Sequence, residues 1–75
     1  MNEPEMTSLL KQQIVKLEPT GFDLAMDKQF LYVGEWLLAF EGVYVANQKY
    51  PGVLDPDDIQ ALTNYFGVDM SELDL

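Results

Sequence analysis

Apolar residues return at intervals of three and four along most of the chain, and the runs are cut by proline and glycine. Met6, Leu10, Ile14 and Leu17, widened by Leu9, form one stripe, while Lys11, Gln12, Gln13 and Lys16 fall mostly outside it. This spacing predicts a first helix from about Glu5 to Leu17, stopped by Pro19 and Gly21. A second helix is predicted from about Asp23 to Tyr32, with Asp23 near its start, where a carboxylate complements unpaired backbone amides. Phe22, Met26, Phe30 and Val33 form its apolar face before Gly34 interrupts. From Glu35 to about Lys49 the chain is most hydrophobic, with Trp36, Leu37, Leu38, Ala39, Phe40, Val43, Tyr44, Val45 and Ala46 covering more than one face, the pattern of a central helix. Gly42 inside it costs about 1 kcal/mol relative to alanine, a cost offset where a neighbouring helix must approach closely. The β-branched Val43 and Val45 keep a short strand open as an alternative. After the breaker Tyr50-Pro51-Gly52 comes the clearest helix start: Asp55 can cap, Pro56 fits the first turn, and Asp57 and Asp58 lie against the positive end of the macrodipole. This fourth helix carries Ile59, Leu62, Tyr65 and Phe66 on one side and ends at Gly67. Residues 68–75 read as a tail that either adds one turn, begun by Asp69, or frays.

Four amphipathic segments joined by short breaks imply an all-α fold, a small antiparallel bundle of about four short helices, spanning 1–75 as a single domain. Trp36, Phe40 and Phe66 fall on apolar stripes and are assigned to the core. A chain of 75 residues hides only roughly 60% of its extended surface on folding, which leaves little room for a deep cleft.

Charge narrows the function. Thirteen carboxylates face four lysines, with no arginine and no histidine, giving a net charge of −9. Direct binding of nucleic acid is not expected, because phosphate contacts need a cationic footprint. The partner implied by such a surface is a basic protein, drawn in at rates that fall as salt rises, although the same charge also serves as a plain solubility device. Without cysteine and histidine the usual zinc sites and thiolate chemistry are absent, and the commonest general base is missing, so no enzyme activity, metal or cofactor is expected. Met1-Asn2-Glu3-Pro4-Glu5 lacks the basic start and apolar run of a secretory signal, and no segment approaches the ~20 apolar residues of a membrane span. The expected location is the cytoplasm, with no membrane partner.

The candidate partner-binding residues are Tyr32, Glu35, Glu41, Tyr44, Asp55, Asp57 and Asp58. Asp55 is explained as a cap, whereas Asp57 and Asp58 exceed what one helix start needs. Glu35 has a competing role as a first-turn dipole partner; six positions from Glu41, it projects about 120° away, so the two do not form a catalytic pair. A tyrosine beside acids combines contact area with a hydroxyl, which makes Tyr32 and Tyr44 candidate anchors. Asp69, Glu72 and Asp74 lack the glycine and the frame of a calcium loop.

Gly34-Glu35-Trp36-Leu37-Leu38-Ala39-Phe40-Glu41 resembles the Gly-Glu-aromatic-x-Leu-Ala-x-Glu segment of the MafI-like group of small immunity proteins, which are encoded beside bacterial polymorphic and contact-dependent toxins. Leu54 to Ile59 and Tyr65 to Val68 are similar to the acid-rich helix of that family and its apolar-glycine-apolar end, so the resemblance covers about Phe22 to Val68. It departs after Glu41, where the family continues with leucines and this chain has Gly42-Val43-Tyr44-Val45. The resemblance implies a helical protein that binds and neutralises one cognate toxin domain, often a nuclease. Two other readings share the composition: a phage-type nuclease inhibitor or nucleic-acid mimic, and a homodimeric structural or regulatory bundle.

Overall fold

Asn2 caps the first helix, which starts at Glu3, two residues ahead of the predicted start. Its side-chain oxygen accepts the Glu5 N–H at 2.9 Å while the Glu5 carboxylate accepts the Asn2 N–H at 3.0 Å. This reciprocal capping box satisfies two donors that a helix terminus otherwise leaves unpaired. The computed structural model describes residues 1–67, and over them the chain forms four α-helices: α1 (Glu3–Leu17), α2 (Ala25–Tyr32), α3 (Trp36–Lys49) and α4 (Pro56–Phe66). The expected tail at 68–75 lies outside the described residues.

A single 3-10 turn at Glu18–Thr20 follows α1 and ends at Gly21, as the Pro19 and Gly21 break predicts. Asp23 then accepts the Ala25 N–H at 3.1 Å, a local turn that delivers the chain into α2 two residues later than the sequence pattern suggests. Gly34, at φ +82°, makes the reversal between α2 and α3; a residue with a Cβ is strained there. The α3 helix runs unbroken through Val43 and Val45 to Lys49, so the strand alternative is not adopted. Asp55 caps α4 by accepting the Asp57 N–H at 2.9 Å, and Gly67 closes that helix in the left-handed region, both as predicted.

The core joins Met6, Leu10, Ile14 and Leu17 of α1 to Ala39, Phe40, Val43 and Ala46 of α3, with Ile59 and Leu62 of α4 and the loop residues Leu24 and Leu54. Both α1 and α3 pack against every other helix, so the centre of the bundle is this pair, flanked by α2 and α4. Phe40 is fully buried and stacks on Phe66 with centroids 5.3 Å apart; Trp36 and Phe66 are half-buried against the same cluster. An edge-on contact between Phe22 and Tyr50, at 6.2 Å, ties the entrance of α2 to the exit of α3. Such aromatic pairs add to area burial in a chain too short to build a thick core.

Two helix faces depart from the pattern-based reading. Gln13, placed outside the α1 stripe by its polarity, is fully buried. Its side-chain amide donates to the Leu9 carbonyl at 3.1 Å and to the Asp58 carboxylate at 3.3 Å. The second departure is larger. Of the four residues predicted for the apolar face of α2, Phe22 and Phe30 pack half-buried against the core but Met26 and Val33 are 63% and 55% exposed, and the inward positions include Leu24, Asp27 and, half-buried, Leu31. A carboxylate thus occupies the middle of the inner face of α2.

Candidate interaction groove between α2 and α3

The buried carboxylate fits because α3 carries no side chain opposite it. A Cβ built on Gly42 would overlap Oδ1 and Cγ of Asp27. The close approach that a mid-helix glycine predicts is therefore real, and what approaches is an acid. Asp27 is 5% exposed, and its Oδ2 has no hydrogen-bond partner. Burial, and secondarily the neighbouring Asp23 carboxylate, push its pKa from 3.8 up to about 6. Both effects disfavour the charged form.

Asp27 lies in the wall of an open groove of ≈ 390 Å³ between the two helices. Its apolar lining comes from Phe22, Phe30, Leu38 and Val45; its polar lining is Asp23, Asp27 and Glu41, with the Gly42 backbone at the narrow point. Leu38 and Val45 are 40% and 36% exposed, so the walls are wet in the free protein. No lysine lines the groove among the described residues. Nor do these acids converge as a metal site: no group of three or more potential ligands among the described residues is placed to hold an ion. The groove can offer negative charge beside apolar surface, which suits an organic cation.

A second groove, on the other side of α2, differs in charge. It runs between α1 and α2, is lined by Ile14, Val15, Leu31 and Tyr32, and carries Lys11 and Lys28 with Glu18. Lys28 bonds Glu18 at 3.2 Å, an exposed pair of small energetic weight. Tyr32 stands out from this region at 89% exposure.

The candidate residues read from the sequence divide among several places. Glu41 is the one of the seven that lines the α2–α3 groove. Tyr32 belongs to the α1–α2 groove, and Glu35 is exposed at the head of α3 with no side-chain capping bond. Tyr44 is half-buried in an edge-type contact with Phe40, ring centroids 6.5 Å apart. Asp55 is engaged as the α4 cap, and Asp57 beside it is exposed. Asp58 is turned inward, held by Gln13 and by Lys16 at 3.6 Å. The chemically most distinctive acid, Asp27, was absent from the sequence-based set, as was Asp23, which was read only as a helix-start residue. A signal was present: Leu24, Asp27 and Leu31 share one face by their spacing of three and four, with a glycine inside the following helix.

Among the described residues no helix is long and apolar enough to cross a membrane. No known protein-family model, no curated protein and no solved structure matches the chain.

Proposed function

We propose that the chain is an immunity-type protein of the bacterial cytoplasm, which binds and neutralises a cognate basic toxin domain, a nuclease, by charge and shape complementarity and without catalysing a reaction. The observation that carries this reading is the anionic surplus: a net charge of −9, with two of the four lysines already paired to acids of the same chain. A nuclease presents cationic surface to phosphate, and an acidic helical protein of matching shape covers that surface. Long-range attraction sets the rate of capture. Apolar anchors set the rate of release, and the exposed Tyr32, Met26 and Leu37 supply them. The likeness of Gly34–Glu41 to the immunity-protein segment adds the toxin as the class of partner.

The test is rapid-mixing kinetics of the purified chain with the toxin domain encoded by the neighbouring gene, over a series of salt concentrations. The association rate should fall steeply as salt rises, while dissociation changes little. An association rate indifferent to salt, or an acidic partner, overturns the proposal. The homodimer reading draws on the partly exposed Leu37, Leu38 and Val45 of α3. It requires a scattering mass that rises with protein concentration.

A further inference from the structure

The acids of this chain are unequal in what already occupies them. Glu5 closes the capping box, Glu18 pairs with Lys28, Asp55 caps α4, and Asp58 holds Lys16 and Gln13. A partner's cation arriving at any of these competes with a bond the fold has already made. At the α2–α3 groove Asp23 accepts the Ala25 N–H, but at Asp27 itself no bond has to be displaced: the side chain is nine-tenths hidden, its Oδ2 has no partner, and no lysine lines the walls among the described residues.

We propose that this groove is the receiving site for one arginine side chain of the basic partner, its aliphatic stem against Phe22, Phe30, Leu38 and Val45 and its guanidinium among Asp23, Asp27 and Glu41. The proposal rests on the reading that the partner is a basic protein, and it names which surface of this chain takes the decisive contact. Three physical reasons favour arginine here. Its stem covers apolar wall that is otherwise wet, while the planar head is weakly hydrated and enters partly apolar surroundings at lower cost than an ammonium. Apolar walls reduce screening, so a cation in the groove interacts with three carboxylates more strongly than it would on open surface. Finally, the desolvation of Asp27 is incurred when the chain folds rather than when the partner binds, which removes much of the usual penalty of forming a sheltered ion pair. Gly42 is the structural condition for all this, since any side chain there would evict the carboxylate.

The test needs no knowledge of the toxin. The full chain, labelled with nitrogen-15, is titrated at neutral pH with butylguanidinium chloride and, separately, with neutral butylurea of nearly the same shape, sodium chloride being matched throughout. The expected result is saturable shifts of the Phe30 and Gly42 amides with the cation alone, and an affinity lowered about tenfold by Asp27→Asn, a loss of about 1.4 kcal/mol. Glu41→Gln provides a second variant at the rim should the first perturb folding, and it is expected to weaken binding in the same direction. Equal shifts with butylurea, shifts reproduced by sodium chloride, or an affinity unchanged in both variants overturn the groove assignment. Binding of the probe by a chain that captures no basic toxin domain sinks the toxin reading and leaves the groove standing. Capture of the toxin with a silent groove sinks the groove alone.

Discussion

Replacing Asp27 by asparagine isolates the free energy stored in one buried charge. The side chain is 5% exposed, and its pKa rises from 3.8 to about 6 through burial first and Asp23 second. The shift is moderate because the carboxylate lies just beneath an open groove rather than deep in the core. A group whose pKa is raised on folding holds its proton more tightly in the folded chain. Its stabilising contribution is therefore complete below about pH 3.8 and is lost as pH rises through about 6. The gap of roughly two units, at about 1.4 kcal/mol each, corresponds to about 3 kcal/mol lost by pH 7 and above. That is a large share of the ~5–15 kcal/mol that holds a small domain together. Asparagine has no charge to bury, and whatever its amide costs does not vary with pH. The stability difference between variant and parent should thus be flat near pH 3 and then move in favour of the variant by about 3 kcal/mol by pH 8, with most of the change between pH 4 and 6. Urea denaturation followed by tryptophan fluorescence measures it, urea being preferable to guanidinium because the latter is itself a cation of the kind the groove should bind. A difference constant to within about 0.5 kcal/mol over the whole range, or one that grows toward acid, would refute the reasoning.

Three further substitutions probe the α2–α3 contact, the α1 cap and the core. Gly42→Ala gains about 1 kcal/mol in helix propensity but collides with Asp27, and should lower stability by about 1–3 kcal/mol overall; in an Asp27→Ala background the same change should become stabilising. A cost of equal size in both backgrounds means the collision is not its source. Asn2→Ala breaks the capping box and should cost about 1 kcal/mol, with faster amide exchange confined to the first turn of α1. Phe40→Ala removes the ring that stacks on Phe66 and should cost about 3–5 kcal/mol, enough to leave much of the population unfolded at moderate temperature, whereas a parental urea midpoint would contradict its central place.

How far the fold could be read in advance depended on whether each helix obeys one rule or two. For α1 and α4 the apolar stripe and the stop signals largely agree: Met6, Leu10, Ile14, Leu17, Ile59 and Leu62 are all buried, Tyr65 at the end of α4 is exposed instead, and Pro19, Asp55 and Gly67 act as predicted. The early start of α1 followed from Asn2 and Glu5, whose spacing of three is a capping signature that the stripe alone does not reveal. For α2 the rules conflict. Polarity argues that Asp27 faces water, and a helix rotated to expose it turns Met26 and Val33 inward; the actual start at Ala25 and the vacancy opposite Gly42 select the other rotation. Gln13 was misplaced for the same reason: its side-chain NH2 donates to a backbone carbonyl one turn earlier and to Asp58 from α4, while its Oε1 is buried without a partner. The groove was half visible: Glu41 stood out in the sequence, but its fellow acids depend on how α2 is rotated against α3, which no single segment encodes.

A buried acid without a partner weakens the free protein, and the groove assignment turns that weakness into a measurable coupling. If an arginine-type cation is taken up at Asp27, the bound state favours the ionised carboxylate, and its pKa must fall on binding back toward the ordinary range. The free chain should then lose stability as pH rises through about 6 while its affinity for the cation increases over the same interval, because fewer protons remain to be expelled. Full return to the unperturbed value bounds the gain at about a hundredfold, two pH units of linkage; partial return gives proportionally less. The facing groups are Asp23 at the entrance of α2 and Glu41 on α3, with no lysine along the groove among the described residues. Calorimetric titration of butylguanidinium from about pH 4 to 7, repeated in buffers of different ionisation heat, counts the protons released. With full return of the pKa from about 6 to 3.8, release of about a tenth of a proton at pH 7, about half at pH 6 and most of one near pH 5, midway between the free and bound values, is the expected result, and it vanishes in Asp27→Asn. Binding with no proton release in the parent would separate the groove from Asp27 and leave the buried charge with no part in recognition.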